Sequence, residues 1–326
     1  LKLEELAPGH ENAVLLISDQ RYLPAARFVA AQILRQETNN FDLVVMTFDC
    51  TRLQQALFDQ GANVVDIELD PRLRSLPVPA RKGLGTYVRL SAIDQLRGIY
   101  RKLIYLDCDV WIGSRSISRL FEVDLGDYEI GATRDAAEIL RGHSAGWVEY
   151  RQKLHLRNDA GYFNAGMLLI NIEKYCSAGI GPSAISYLTK EPDPYHDQGA
   201  LNAILGGRWL EISPLWNWMF GTRVRLTEKY DPAIIHFIGS NKPWKDRKAK
   251  HHPKYRAEMQ RYLAAFGEGD YVEAVPAQER WRRSAINCLK DAKSALLGDT
   301  RDNRIDRFIA ATKFADVEAG IVARTW

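Results

Sequence analysis

The chain has 326 residues, 46% of them apolar, and its 44 lysines and arginines against 41 aspartates and glutamates give a formal net charge of +3. That is enough apolar material for one large α/β domain or two modest ones with a real core. So slight a positive charge, with no basic block interleaved with aromatics in the body of the chain, excludes a dedicated nucleic-acid binder. Cys50, Cys108, Cys176 and Cys288 lie far apart without a CxxC pair, which argues against a zinc site and a disulfide framework and fits a reducing compartment. The apolar runs Val14–Ile17, Met167–Ile172 and Ile234–Ile238 are too short to span a bilayer, and the first twelve residues carry no signal-peptide core. The expectation is a soluble, cytoplasmic or peripheral protein.

In chain order, Ala13–Ile17 reads as a buried strand, and Pro24 suits the first turn of a helix over Ala25–Arg35 with Phe28, Val29 and Ile33 inward. The alternation continues with a strand at Leu43–Phe48, a helix at Arg52–Gln60 stopped by Gly61, a strand at Asn63–Glu68, a helix at Tyr87–Leu96 and a strand at Lys102–Leu106. Such a pattern predicts an α/β fold whose sheet is mostly parallel with helices on both faces. Asp70–Gly85, with three prolines and two glycines, is expected to be a long loop. Arg134–Asp159 shows little periodicity beyond one short helix and suits a lid or acceptor wall. Past the core, Pro276–Leu297 reads as a basic amphipathic helix, with Trp281, Ala285, Leu289, Ala292 and Leu296 on one side. The pattern divides the chain into an α/β domain at 1–270 and a basic helical extension at 271–326 that either meets an anionic membrane or docks on the domain.

Asp107-Cys108-Asp109 closes the strand Lys102–Leu106 and is the only Asp-x-Asp in the chain. On a strand, residues i and i+2 share a side, so both carboxylates can face one hard cation. Ligands of open α/β sheets collect at such strand ends. The first strand runs into Ser18-Asp19-Gln20-Arg21-Tyr22 with no glycine-rich phosphate loop, so a bound diphosphate must be neutralised another way, and a divalent ion does so directly.

Five further segments join that motif: Ile17–Tyr22, Thr86–Leu90, Tyr162–Asn171, His196–Asn202 and Ile235–Trp244. Together, over about residues 13 to 245, they resemble glycosyltransferase family 8, the retaining sugar-nucleotide enzymes with a single GT-A type nucleotide-binding domain, which implies a mixed, mostly parallel sheet. The resemblance implies metal ligation by Asp107, Asp109 and His236, with Mn2+ the usual ion and Mg2+ the alternative. It implies a UDP-sugar donor, galactose or glucose being favoured, held by Ser18, Asp19, Tyr22, Arg81, Arg89, Asp107, Cys108, Asn164, Ala165, Gly166, Asp197, Gln198, Gly239 and Lys242. Arg21 and Arg81 depart from the family pattern, which leaves the base and phosphate contacts there open. Arg89, Asp197 and Gln198 are the implied catalytic residues. Gln198 is a poor nucleophile, so retention is expected by a front-face route rather than by a covalent intermediate. The implied acceptor is a glycan or glycolipid hydroxyl, such as a lipopolysaccharide core, and the implied location is the inner face of the membrane. Two alternatives stand beside this reading: a sugar-1-phosphate nucleotidyltransferase, which lacks its glycine-rich loop here, and a noncatalytic glycan-binding protein on the same fold.

Overall fold

The computed structural model describes residues 2–36, 40–48, 61–77, 84–157, 159–279, 281–282, 285–286, 300–311 and 322–324. Its centre is an eight-stranded sheet in the order β10-β8-β6-β7-β4-β1-β2-β3. These strands are β1 (Asn12–Ser18), β2 (Asp42–Thr47), β3 (Asn63–Asp66), β4 (Lys102–Leu106), β6 (Ile130–Arg134), β7 (Phe163–Asn171), β8 (Leu210–Ile212) and β10 (Val322–Arg324), while β5 (Val110–Ile112) and β9 (Ile234–His236) form a separate ribbon.

β1 pairs in parallel with β2 and β4, and β2 with β3, as the alternating pattern predicts. The sheet is mixed and mostly parallel, as the family resemblance implies, because β7 runs antiparallel to both β4 and β6. Local sequence does not encode strand direction, and β7 is wholly apolar from Met167 to Ile170, as a central strand covered on both faces must be. Period-two alternation sorts the strands between two cores. Val14, Leu16, Val45, Ile104 and Leu106 pack beneath Phe28, Val29 and Ile33 of the Leu23–Leu34 helix. Leu15, Ile17, Val44, Met46, Leu103 and Tyr105 face Tyr87, Val88 and Leu90 on the other side.

Three expectations change. The helix at Tyr87–Leu96 is a helix over Gly85–Ala92 followed by a 3-10 turn at Asp94–Leu96. The Asp70–Gly85 loop contains a helical turn, Pro71–Arg74, because the Asp70 side chain caps the Arg72 amide. Arg134–Asp159 holds two helices, Ala136–Arg141 and Ala145–Lys153, the first started by Asp135 accepting from the Ala137 amide at 2.7 Å. Trp147, Tyr150, Tyr162 and Tyr195 cluster there, with ring centroids 4.9–6.0 Å apart. The helix expected at Arg52–Gln60 lies outside the described residues.

Of the extension, residues 277–279, 281–282 and 285–286 are helical, and the rest of Pro276–Leu297 lies outside the described residues. Trp281 is 81% exposed. The Thr300–Ala311 helix packs on the main domain: Ile305 is fully buried, Asp302 pairs with Arg223, and Asp306 accepts from Lys229 and Tyr230. Ile305→Ala is expected to lower unfolding stability by about 2–4 kcal/mol, the usual cost of such a cavity, as read by urea denaturation. Among the described residues no helix is long and apolar enough to cross a membrane.

Candidate active site

The site forms where β4 ends. Asp107 and Asp109 project to one side, while Cys108 between them turns inward and its Sγ lies 3.2 Å from the Ile17 carbonyl. His236 arrives from the ribbon, in which Val110 pairs with His236. Ligand atoms of Asp107, Asp109 and His236 all lie within 4.8 Å of one another, with His236 Nε2 at 3.1 Å from Asp109 Oδ1 and 3.6 Å from Asp107 Oδ2. Gly166 makes room for the ring: a Cβ there would fall 2.1 Å from His236 Cε1.

This donor set fits a divalent ion. Asp109 Oδ1 is buried and faces His236 Nε2 at 3.1 Å, so a cation among Asp107, Asp109 and His236 would satisfy a carboxylate oxygen that has no access to water. Two carboxylates and one imidazole suit a borderline-hard ion such as Mn2+ or Mg2+. Burial pushes the Asp109 pKa upward, but the Lys242 ammonium and His236 more than offset this and hold the carboxyl well below the usual carboxylate range. Lys242, itself buried, donates to Asp109 Oδ2 and to the Phe237 carbonyl. Gly239, at φ 80°, supplies the left-handed turn between them.

Arg89, only 5% exposed, ties the ion site to the region expected to hold the donor sugar. Its Nη2 donates to Asp107 Oδ1 at 2.8 Å, its Nε lies 2.8 Å from Asp197 Oδ2, and its Nη1 donates to the Ala165 carbonyl. Burial works against its charge, and the two carboxylates overcome that and raise its pKa above the ordinary arginine value. The Tyr105 hydroxyl adds a 2.7 Å bond to Asp107 Oδ1, and Thr86 Oγ1 one of 2.9 Å to Asp197 Oδ1. His196, just before Asp197, sits at φ 58° and ψ −128°, a conformation that non-glycine residues keep only where the surroundings enforce it. Tyr87 packs edge-on against its ring.

Gln198 is held at both ends of its amide. Its Oε1 accepts from Asn164 Nδ2 at 3.0 Å and the Ala165 amide at 3.1 Å, and its Nε2 donates to Asp135 Oδ2 and the Tyr162 hydroxyl, both at 3.2 Å. The segment Asn164-Ala165-Gly166 is thus committed largely to protein contacts.

At the end of β1 the Ser18 hydroxyl donates to the Asp19 carbonyl, and Asp19 accepts from the Arg21 and Tyr22 amides and the Arg21 guanidinium. The Tyr22 phenol is pushed up to about 12 by burial first, then by the negative charges of Asp109, Asp107 and Asp19, so it lies within electrostatic reach of the ion site. Arg81 lies outside the described residues.

Four neighbours went unread in the sequence: Asp135, Tyr162, Asn217 and Tyr271. Burial raises the Tyr271 pKa, and Tyr22, Cys108 and Asp109 raise it further, which brings this tyrosine to the site from beyond the boundary drawn at 270. Asn217 had one visible signal, a single amide inside the apolar run Leu215-Trp216-Asn217-Trp218-Met219-Phe220.

A mixed sheet with two acids at the end of β4 and a buried Arg–Asp network behind them defines a GT-A type glycosyltransferase. A model of glycosyl transferase family 8 matches residues 13–248. The chain belongs to glycosyltransferase family 8, and its enzyme class is that of the hexosyltransferases. Among its relatives, General stress protein A of Bacillus subtilis (strain 168) is 28% identical over 232 residues, 65% of this chain and 77% of that protein. The lipopolysaccharide 1,3-galactosyltransferase of Salmonella typhimurium is 29% identical over 185 residues, 53% of each chain. The match thus spans about half the length of that transferase. In fold the chain is similar to the galactosyltransferase LgtC, solved with donor and acceptor sugar analogs, at a TM-score of 0.61 and 24% identity over 82% of this chain and 99% of that one.

Proposed function

We propose that the chain is a metal-dependent retaining transferase that moves galactose or glucose from a UDP-sugar to a hydroxyl of a glycan or glycolipid, such as a lipopolysaccharide core. The observation that carries this reading is the convergence of ligand atoms of Asp107, Asp109 and His236 within 4.8 Å of one another, with Asp109 Oδ1 shut off from water. An ion held by these three residues would neutralise the diphosphate and stabilise it as a leaving group. Lys242, beside Asp109, adds a second positive charge on the same side. Arg89 fixes Asp107 for the ion and Asp197 for the sugar hydroxyls with one rigid guanidinium fork. Gln198, an amide clamped by four partners, is positioned to support positive charge at the anomeric carbon and is unsuited to attack it. Asp135, the carboxylate that accepts from Gln198, has its oxygens occupied by the Ala137 amide, Asn164 and Gln198. Both facts favour retention through the front face.

The test is UDP release from UDP-galactose and UDP-glucose with and without Mn2+. Turnover is expected with Mn2+, to vanish with EDTA, and to fall at least about 100-fold in Asp109→Asn, which removes a charged ligand oxygen. A metal-independent rate, or an Asp109→Asn variant with unchanged turnover, overturns the reading, and no turnover with any UDP-hexose favours the noncatalytic alternative.

Within the extension, the stretch around Trp281 fits a membrane-facing role for glycolipid acceptors: Trp281 is largely exposed, and the run around it is basic. Binding to anionic vesicles that Trp281→Ala weakens is the expected result.

A further inference from the structure

His236 can ligate an ion through Nε2 only if its proton sits on Nδ1, and a chain of buried side chains dictates that choice. We infer that Asn217 is a positioning residue for the metal site, which sets the His236 tautomer as the last link of a relay running Asp135–Asn164–Asn217–His236. This rests on the metal reading above.

The relay can be read from donors and acceptors alone. Asp135 offers only acceptor oxygens, so the group 2.9 Å from its Oδ2 must be the Asn164 NH2. The Gly166 amide can only donate, so the Asn164 atom 2.9 Å from it must be Oδ1. Both ends of the Asn164 amide are therefore assigned independently, and they agree. Asn164 Oδ1 also lies 3.0 Å from Asn217, which must present Nδ2 to it. That turns Asn217 Oδ1 toward His236 Nδ1, 3.0 Å away. An amide oxygen accepts and does not donate, so Nδ1 carries a proton, and in the neutral imidazole that an ion requires the Nε2 lone pair faces Asp109 and Asp107. Flipping Asn217 would set two oxygens against each other at Asn164 and an NH2 against Nδ1, which would favour the tautomer that cannot ligate.

Asn217 is fully buried between Trp216 and Trp218. Its place is fixed by backbone bonds of the next residue, with the Trp218 amide donating to the Ile234 carbonyl at 2.8 Å and the His236 amide to the Trp218 carbonyl at 2.9 Å. Hydrogen-bonded partners of ligating histidines typically control metal affinity by about 10- to 100-fold.

The experiment measures Mn2+ affinity at saturating UDP, from the electron paramagnetic resonance of free Mn2+, for wild type, His236→Ala, Asn217→Leu and Asn217→Asp. Asn217→Leu is expected to bind about 10- to 100-fold more weakly. Asn217→Asp keeps an acceptor for Nδ1–H but sets a second oxygen against Asn164 Oδ1, so it should bind measurably more tightly than Asn217→Leu while remaining weaker than wild type. Equal affinity of Asn217→Leu and wild type overturns the relay, as does equal weakening of both variants, which would assign Asn217 to packing. A wild type that binds no Mn2+, or a His236→Ala variant that binds as tightly as wild type, removes the metal reading and the relay together. Should Asn217→Leu fail to fold, long-range proton–nitrogen NMR of the wild type with UDP and Mg2+ decides the question. His236 protonated on Nδ1 supports the relay, and His236 protonated on Nε2 overturns it.

Discussion

Gly166→Ala is expected to abolish metal-dependent turnover while leaving the central sheet folded. The added Cβ would stand 2.1 Å from His236 Cε1, 2.5 Å from Nδ1 and 3.0 Å from Asn164 Oδ1. No flexible chain end is available to yield, because the obstruction is an imidazole ring only 4% exposed in a packed ribbon. β7 cannot retreat cheaply either, since the next residue, Met167, pairs with Leu106 and the Gly166 carbonyl accepts from the Asp107 amide at 2.9 Å. The ring must therefore move by an ångström or more, losing its aim at the ion site and its bond to Asn217. Overpacking of this kind costs about 1–3 kcal/mol of stability, which a chain of this size can survive. Titration calorimetry with Mn2+ and UDP should show at least about a 100-fold loss of affinity, on the scale seen when supports of a metal site are removed. Wild-type affinity in Gly166→Ala would mean that His236 is not a ligand.

Arg89→Met is expected to damage both folding and activity. Methionine approximates the volume of the side chain but leaves the Asp107 and Asp197 carboxylates, now 2.8 Å from a guanidinium nitrogen each, without that partner, Asp197 in a buried setting and Asp107 in a partly exposed one. Breaking a buried ion pair by removing one partner costs about 3–5 kcal/mol, and here one cation serves two acids and a carbonyl. Urea denaturation should register that loss. Arg89→Lys separates the two contributions, because one ammonium keeps the charge but cannot reach Asp107, Asp197 and the Ala165 carbonyl together. The lysine variant should recover part of the stability and little of the turnover. Recovery of full turnover would show that charge alone, rather than the fork geometry, is what Arg89 contributes.

The parts of the site legible in the sequence were those with a local signature. β1, β2 and β4 announced themselves as short apolar runs with period-two partitioning between two cores, and Asp107 and Asp109 followed from the i, i+2 rule at the end of β4. His236 was different. Its own surroundings, Ile234-Ile235-His236-Phe237, look like a core strand, and only the resemblance of six ordered segments pointed to ligation. The family resemblance marks Gly166 only as part of the sugar-binding turn, and its function as clearance for an imidazole is visible only with β7 and β9 side by side. Nothing in the sequence around Asp135 suggests that its carboxylate orders two amides in the site.

The sequence by itself determined the alternation of buried strands and amphipathic helices, and with it an α/β sheet and a pair of acids at one strand end. These depend on interactions among residues a few positions apart, which periodicity and propensity report directly. The tertiary structure decided the antiparallel course of β7, the meeting of His236 with Asp107 and Asp109 through the β5–β9 ribbon, and the hydrogen-bond order from Asp135 to His236. Those features arise from pairing between residues far apart in the chain, where register and buried donor–acceptor matching, rather than local preference, select the arrangement.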